Sequence, residues 1–300
     1  MKVLIIGLGN IGKSHLKSFF LSKNKYEIYL YDKNKINLKF LNLRKSNINI
    51  KILKEFPKSY NFDLVIISTN SLERFQIIKK IFNRNKVKFF IIEKFLFTKI
   101  YQYERCKKLL IHKRNNIFIN VWGSYLSMLL NIKLNKSKFI FMNVKIKEGR
   151  LLTNFIHYLD MYCFLTQKKI NLKFLLKKKI KSKRKNYSEA QGSFYGKNDF
   201  GEVSINSNKN VIYDYVKITN NKNKYKIIIA KKNSCFLYKN SKLIKSIQFP
   251  FAYNETFKIF ERFMKTKKNS NIFSNFDFVS QLSRDSLEKI LKASNTIKIT

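Results

Sequence analysis

Short apolar runs alternate with amphipathic segments along the first 122 residues. The apolar runs are rich in β-branched residues, which is typical of strands buried on both faces of a sheet. Strands are predicted at residues 3–6, 26–31, 49–53, 62–70, 87–94 and 116–122, and helices at 13–20, from 71 onward and at 99–113. The helix from residue 71 is predicted to bury Leu72, Phe75, Ile78 and Phe82. This alternation predicts a parallel sheet with right-handed crossovers, an α/β domain over residues 1–122.

The pattern changes at residue 123. A helical segment at 125–134, a strand at 138–147 and a helix at 152–165 come first. Strands without long helices between them follow at 171–176, 186–195, 201–206, 211–219, 224–230, 234–238 and 243–249, and helices at 255–265 and 277–294 close the chain. Such a run of strands indicates an open, mainly antiparallel sheet. We predict a second, α+β domain over residues 123–300, with a closing helix that can pack back on the first domain.

Three glycines follow the first predicted strand in the spacing G-x-G-x-x-G, at Gly7, Gly9 and Gly12. The first permits a tight turn, the second lets a pyrophosphate approach the backbone, and the third lets the helix pack closely on the strand. The helix start, with Asn10 and Ile11, would offer its N–H groups to the phosphates. In this strand-to-helix context the motif indicates a Rossmann dinucleotide-binding unit; the alternative is a turn with a structural role only.

The end of the second strand bears on the identity of the dinucleotide. Asp32 stands there, about twenty residues after Gly12, where a carboxylate accepts hydrogen bonds from the adenosine ribose of NAD. Lys33 and Lys35 follow and could instead receive the 2′-phosphate of NADP. We therefore predict NAD, with NADP as the alternative.

The fourth strand also ends in polar residues, Ser68, Thr69 and Asn70. Parallel sheets bind ligands at this edge, so the three side chains could contact the nicotinamide ribose. The alternative is that Asn70 or Ser71 caps the helix that follows.

The charge of the chain is extreme, with 62 Lys and Arg against 18 Asp and Glu and a net charge of +44. A nucleic-acid or membrane binder is one interpretation. The other is a general drift toward Lys, Asn, Ile, Phe and Tyr, and the spread of lysines over nearly every loop favours it. The only dense basic run is 177–185, between predicted strands. We predict no nucleic-acid partner, although the positive field would steer an anionic ligand toward the protein.

Cysteines and apolar runs bear on the compartment. Cys106, Cys163 and Cys235 are odd in number and lack C-x-x-C spacing, so we predict neither disulfides nor a metal site. No apolar stretch reaches the roughly 18 residues that a membrane span needs. The chain is predicted to be cytoplasmic.

The helix after Gly149 carries the second group of candidate residues. His157 and Asp160 are three positions apart and Asn154 lies three before His157, so all three share one helix face. The imidazole could take a proton from a hydroxyl, with the carboxylate supporting it. Tyr158 could reach a substrate but points away from His157. Of the other histidines, His15 is predicted on the surface of the first helix, with an approach to a cofactor as the alternative, and His112 is predicted to be solvated.

Together, G-L-G-N-I-G, a strand that ends in Glu93-Lys94, and Gly149 followed by His157-x-x-Asp160 resemble the glucose-fructose oxidoreductase and inositol dehydrogenase (Gfo/Idh/MocA) family of NAD(P)-dependent sugar oxidoreductases. The resemblance covers nearly the whole chain. Residues 149–166 are similar to members associated with bacterial surface-polysaccharide biosynthesis, in which an asparagine precedes the histidine by three positions, as Asn154 does here. It implies that Glu93 and Lys94 lie at the cofactor, that Lys94 stabilises charge on the reacting oxygen, and that His157 is the general acid and base.

Three positions depart from the family's pattern. Phe95 replaces the usual proline after the lysine, and Thr153 stands where many members have an aspartate that assists proton transfer. Residues 120–124 lack the arginines expected of the polysaccharide-associated members. With Thr153 in place of that aspartate, we expect either a proton-transfer apparatus of two residues or a slower enzyme.

The resemblance implies hydride transfer between a nicotinamide and a sugar carbon, with a nucleotide-activated sugar as the expected substrate. The alternative is a non-catalytic dinucleotide-binding protein that serves as a sensor or assembly partner. The resemblance also implies that residues 123–300 form the substrate-binding and oligomerisation domain. Members of the family often associate through the outer face of the antiparallel sheet, so a homodimer or homotetramer is expected.

Overall fold

A computed structural model describes residues 1–37, 46–112, 116–134, 138–182, 187–230, 234–248, 254–266, 274–297 and 299. The chain forms two compact units. The first consists of Met1–Asn120 with Pro250–Ser280, and the second of Val121–Phe249 with Gln281–Thr300.

The helices and strands follow one another in this order: β1 (Lys2–Ile6), α1 (Asn10–Phe19), β2 (Tyr26–Tyr31), β3 (Ile48–Ile52), β4 (Asn61–Ile67), α2 (Ser71–Arg84), β5 (Lys86–Glu93), α3 (Ile100–Leu109), β6 (Ile117–Asn120), α4 (Gly123–Leu130), β7 (Ile140–Lys147), α5 (Leu151–Thr166), β8 (Asn171–Lys181), β9 (Ser188–Asn198), β10 (Gly201–Asn208), β11 (Asp214–Asn220), β12 (Asn223–Ile229), β13 (Ser234–Lys239), β14 (Lys242–Gln248), α6 (Thr256–Thr266), β15 (Ser274–Asn275) and α7 (Phe276–Ala293).

The first unit is built on a sheet with the strand order β15-β6-β5-β4-β1-β2-β3. Strands β1 to β6 are parallel, and β15 joins β6 antiparallel. Val3 to Ile5 and Leu64 to Ile67 are fully buried, because helices cover both faces of such a sheet. The order reverses between β1 and β4, and this is the point at which doubly wound sheets bind ligands. The predicted parallel sheet is confirmed; β15 was not predicted.

Helix α6 completes the core of the first unit, although the sequence pattern alone places it in the second domain. Its residues Ile259, Phe260 and Phe263 are buried in one cluster with Phe89 and Phe118 of the sheet. The ring centroids of Phe89 and Phe263 are 4.2 Å apart. The unit therefore closes with a segment that lies more than a hundred residues away in the chain.

The buried face of α2 differs from the predicted one. Phe75 and Ile78 are buried as expected, but Leu72 is 37% exposed and Ile81 is buried instead. The buried face of the helix also includes Ser71 and Arg74. Leu72 therefore lies at the edge of this face and is partly exposed to solvent.

The second unit is built on a sheet with the order β14-β13-β12-β11-β7-β10-β9-β8. All neighbouring strands are antiparallel except β7 and β10, which are parallel. The predicted, mainly antiparallel sheet is confirmed. Helix α5 packs against β7, β9 and β10 and against α4. At Gly123 the two helices approach so closely that a β-carbon would lie 1.8 Å from the carbonyl oxygen of His157.

Several predicted boundaries shift. The helix predicted at 99–113 is Ile100–Leu109, and the one predicted at 125–134 is Gly123–Leu130, followed by Asn131 in the left-handed conformation. Residue 113, the basic positions 183–185, and the predicted strand ends at 186 and 249 lie outside the described residues. Within the described part of the chain, none of the helices combines the length and apolarity that crossing a membrane requires.

Candidate active site

The glycine loop of the first unit has the geometry that its spacing predicts. Gly7 has a φ of +88°, in the region that favours glycine. A β-carbon at Gly12 would lie 1.9 Å from the carbonyl oxygen of Gly7, so only glycine permits this packing of α1. At Gly9, in contrast, a β-carbon would meet no protein atom within 4 Å. The space next to Gly9 is therefore open to a ligand.

The start of α1 adds hydrogen-bond donors to this space. Gly9 is the N-cap of the helix, and no side chain of the described residues caps it. The N–H groups at the start of a helix need acceptors, and they favour anions. Asn10 and Ile11 open this first turn. The loop and helix thus fit the pyrophosphate of a dinucleotide.

Asp32 lies directly after β2 and is held by the glycine loop. Its Oδ2 accepts from the N–H of Leu8 at 2.6 Å, and its Oδ1 accepts from the N–H of Asn34 at 2.8 Å. Lys33, one of the two candidates for a 2′-phosphate, forms an ion pair with Glu73 of α2. The fixed carboxylate and the engaged lysine both favour the ribose of NAD.

Ser68, Thr69 and Asn70 have distinct positions after β4. The Ser68 hydroxyl donates to the Gly7 carbonyl at 2.7 Å, and the Thr69 side chain lies against Gly7. Asn70 is the N-cap of α2, where its Oδ1 accepts from the N–H of Glu73 at 3.2 Å. Capping by Asn70 is therefore the role that the structure shows, and ribose contacts of these residues remain a prediction.

Arg74 of α2 connects two loops at the ligand edge of the sheet, and the sequence analysis missed it. Its buried guanidinium donates to the carbonyl oxygens of Thr69 and Phe95 and, at 3.3 Å, to that of Leu96. The Lys94–Phe95 peptide bond is cis. Arg74 thus braces the loop after β4 against the loop that carries Lys94. An arginine among the apolar positions of α2 was the available signal.

A buried polar network lies below Lys94. His15 is fully buried, and its Nε2 lies 3.0 Å from Oε1 of Glu93 while its Nδ1 lies 2.6 Å from the Thr256 hydroxyl. Asn120 also donates to Glu93. The prediction that His15 lies on the surface is wrong, because the helix turns this side chain toward the end of β5. The Glu93 carboxylate is held inside the unit, and the half-buried Lys94 follows it at the sheet edge.

In the second unit, His157 lies on α5 and is nearly fully buried. Its Nδ1 accepts from the N–H of Trp122 at 3.2 Å. The indole of Trp122 stacks on the imidazole, with centroids 4.4 Å apart and an angle of 21° between the planes. Because Nδ1 is an acceptor, the neutral ring carries its hydrogen on Nε2. Trp122 is the only tryptophan in the chain, which was the signal that could have singled it out.

Asp160 accepts a hydrogen bond at the start of α4, where its Oδ2 lies 2.7 Å from the N–H of Ser124. The carboxylate thereby ties α4 to α5 next to Trp122. Its observed role is to fix the segment that holds His157, and direct electrostatic support of the imidazole remains a prediction.

Asn154 belongs to a cluster around Asp214 of β11. The buried Asp214 carboxylate accepts from the N–H of Lys147 at 3.0 Å and from the Tyr158 hydroxyl at 3.1 Å. Burial and the neighbouring carboxylate raise the pKa of Tyr158 well above its ordinary value. Tyr158 is therefore a buried hydrogen-bond donor to Asp214 within the second unit. Asn154 lies 3.3 Å from Asp214 and also contacts Arg150.

Thr153 is engaged by Glu189 of β9. The buried Glu189 carboxylate accepts from the N–H groups of Leu152, at 2.8 Å, and Thr153, at 3.1 Å, and from the Thr153 hydroxyl. It thus caps α5 from a neighbouring strand. The position at which many family members have an aspartate serves here to anchor the helix that carries His157.

The glycine loop, the fixed acid after β2 and the strand order define the class of the first unit as a dinucleotide-binding Rossmann fold. Residues 1–121 match the family model described as GFO_IDH_MocA, oxidoreductase family, NAD-binding Rossmann fold. The resemblance to this family is therefore confirmed over residues 1–121, which match its NAD-binding Rossmann domain. The predicted dinucleotide cofactor is confirmed with it.

Solved structures share the fold over the whole chain. A dehydrogenase from Clostridium difficile is 15% identical, with a TM-score of 0.68 over 98% of this chain and 99% of its own. UDP-N-acetylglucosamine 3-dehydrogenase from Acidithiobacillus ferrooxidans is 11% identical, with a TM-score of 0.67 over 99% and 97%. Biliverdin reductase from Synechocystis, solved with biliverdin and NADP+, is 10% identical, with a TM-score of 0.64 over 99% and 98%. Comparison with curated protein sequences finds no significant match. The last two of these proteins are named for different substrates, so the fold alone does not determine the substrate.

Proposed function

We propose that this protein is an NAD-dependent oxidoreductase that transfers a hydride between the nicotinamide and a carbon of a sugar. The observation that carries the proposal is the uncapped start of α1 beside the open space at Gly9. NAD(H), when bound there, supplies or accepts the hydride. Asp32, fixed by the N–H of Leu8, would bind the adenosine ribose.

Lys94 and His157 are the groups that we propose to act on the reacting oxygen, with Asn154 as a substrate contact and Asp160 as support for His157. The Lys94 ammonium stabilises negative charge on that oxygen and donates a proton to it. The bond from Trp122 occupies Nδ1, so the imidazole meets the substrate through Nε2–H. In this state Nε2–H donates a hydrogen bond to the reacting oxygen. For His157 to take up or give a proton at Nε2, the hydrogen of the neutral ring has to stand on Nδ1, and the bond from Trp122 has to break.

We further propose that the substrate is a nucleotide-activated sugar used in bacterial surface-polysaccharide synthesis. The sequence resemblance in the α5 region supports this class. A dehydrogenase named for UDP-N-acetylglucosamine has the same fold, so the fold is compatible with such a substrate. The net charge of +44 also favours an anionic substrate. We also propose a homodimer or a homotetramer, because members of the family often associate in this way. Light scattering that shows a monomer at micromolar concentration would contradict this proposal.

The test begins with thermal unfolding in the presence of NADH and NADPH. A ligand at a hundred times its dissociation constant should stabilise the fold by about 2.7 kcal/mol. We expect NADH to give the larger shift and Asp32→Ala to remove it. Absorbance at the nicotinamide wavelength then reports turnover of nucleotide sugars. Lys94→Ala and His157→Ala should each lower turnover about 100-fold or more with cofactor affinity nearly unchanged. Wild-type turnover in both variants would refute the assignment.

A non-catalytic dinucleotide-binding protein is the second candidate. The engagement of Thr153 by Glu189 favours it, because no carboxylate stands at that position of α5. It predicts that NADH binds and that no sugar supports turnover above the level of His157→Ala.

A further inference from the structure

Arg150 immediately precedes α5 and is the N-cap residue of that helix. Its Nη1 lies 3.7 Å from Oδ1 of Asp214. The amide oxygen of Asn154 faces Arg150 and accepts hydrogen bonds from its Nη2 at 2.8 Å and from its Nε at 3.2 Å. The side chain nevertheless remains 53% exposed. Arg150 is therefore a guanidinium with a fixed orientation that still faces solvent.

Asp214 does not need Arg150 to satisfy its hydrogen bonds. The carboxylate already accepts from the backbone N–H of Lys147 and from the Tyr158 hydroxyl. Its separation of 3.7 Å from the guanidinium is that of an ion pair without a close hydrogen bond. The five N–H groups of an arginine outnumber the contacts made here. The cation thus keeps donors for a further partner.

The helical spacing places Arg150 on the same face as the proposed substrate contacts. Positions 150, 154 and 157 differ by four and three residues, which is the repeat of one helix face. Seven residues correspond to a rise of roughly 10 Å. A hexose that carries an anionic group covers that span between the imidazole and the guanidinium. A planar guanidinium binds phosphate and carboxylate groups through paired hydrogen bonds.

The N-terminus of α5 itself is not the anion site. Its first free N–H groups, those of Leu152 and Thr153, already donate to Glu189. An anion that approaches this end of the helix therefore meets the side chain of Arg150.

We infer that Arg150 binds an anionic group, a phosphate or a carboxylate, on the sugar substrate and is the residue that selects anionic over neutral sugars. The inference rests on the proposed function, since it takes His157 as the reacting end of the site. It adds to the proposed function the residue that recognises the charge of the substrate.

The test is calorimetric binding to the full-length protein saturated with NADH, at constant ionic strength. The probes are glucose, glucose 1-phosphate, glucuronate and UDP-N-acetylglucosamine, so that phosphate and carboxylate are distinguished. Arg150→Met is compared with Lys147→Met, which removes the same charge from an exposed side chain three residues earlier. We expect at least one anionic probe to bind more tightly than glucose, and Arg150→Met to weaken it roughly tenfold or more. Lys147→Met should weaken it less than twofold.

Equal affinities for the anionic probes and glucose would overturn the inference, as would equal losses in the two variants. If Arg150→Met fails to fold, Arg150→Lys keeps the charge beside Asp214 and removes the planar fork, and it should still weaken the anionic probe several-fold more than Lys147→Arg does. Hydride transfer to neutral sugars that is insensitive to Arg150 would refute the inference and leave the proposed function intact. Anion binding that depends on Arg150 without any turnover would refute the catalytic function alone.

Discussion

Replacing Gly9 with alanine should separate the binding role of the glycine loop from its structural role. A β-carbon at this position meets no protein atom within 4 Å, and φ is −65°, which alanine adopts without strain. Restricting the unfolded chain stabilises by about 0.4–1 kcal/mol. Alanine is a poorer N-cap than glycine, and this costs a similar amount. We therefore expect the free energy of unfolding to change by less than about 1 kcal/mol.

The same methyl group would occupy the space that a pyrophosphate needs. One extra methyl group in a packed site costs about 1–3 kcal/mol. The dissociation constant for NADH should therefore rise about 5- to 150-fold. Fluorescence of bound NADH measures the affinity, and urea unfolding of the same preparation measures the stability. Wild-type affinity in Gly9→Ala would refute the placement of the pyrophosphate at this loop.

Gly12→Ala is the matched contrast. Its β-carbon would lie 1.9 Å from the Gly7 carbonyl oxygen, whereas ordinary contacts begin at 3.4 Å. Helix α1 would have to move by about 1.5 Å in a closely packed unit. We expect a loss of about 3 kcal/mol in the free energy of unfolding. If Gly12→Ala is as stable as Gly9→Ala, the close packing of α1 on the loop is wrong.

Three further predictions concern contacts that lie within one of the two units. Burial alone would raise the pKa of Glu261, but hydrogen bonds from Ser22 and Tyr26 outweigh it and hold that pKa below its ordinary value. The stabilisation is therefore present at neutral pH and is lost as the pH falls through the lowered pKa. Glu261→Gln should lower the free energy of unfolding by about 1–2 kcal/mol at pH 7. Urea titrations should show this difference shrinking as the pH falls below the ordinary range of glutamate, and a difference that does not depend on pH would contradict the lowered pKa. Gly123→Ala would place a β-carbon 1.8 Å from the carbonyl oxygen of His157. It should lower the free energy of unfolding by about 3 kcal/mol. Unchanged urea unfolding would contradict the close approach of α4 and α5. Arg74→Met removes the hydrogen-bond donors of buried carbonyl groups and should lower the free energy of unfolding by about 2 kcal/mol or more. The control, Arg84→Met on the exposed end of α2, should lower it by less than about 0.5 kcal/mol. Equal thermal shifts in the two variants would refute the bracing role of Arg74.

The sequence by itself determined the features that depend on neighbouring residues. Buried strands reveal themselves as short β-branched runs, and the glycines at 7, 9 and 12 specify a turn whose geometry lies within one loop. The parallel sheet, the mainly antiparallel sheet and the dinucleotide site could therefore be predicted. Helical periodicity likewise placed Asn154 and His157 on one face of α5.

Only the tertiary structure decided which side chains face each other across long separations. His15 meets Thr256, 241 residues away, and Trp122 meets His157, 35 residues away. Helix α6 and β15 return to the first unit from the far end of the chain. Local periodicity gives the side of a helix on which a residue lies, but not the partner that covers that side. The burial of His15, the bracing by Arg74 and the anchoring of Arg150 follow from how separate elements pack, and only the assembled core determines that packing.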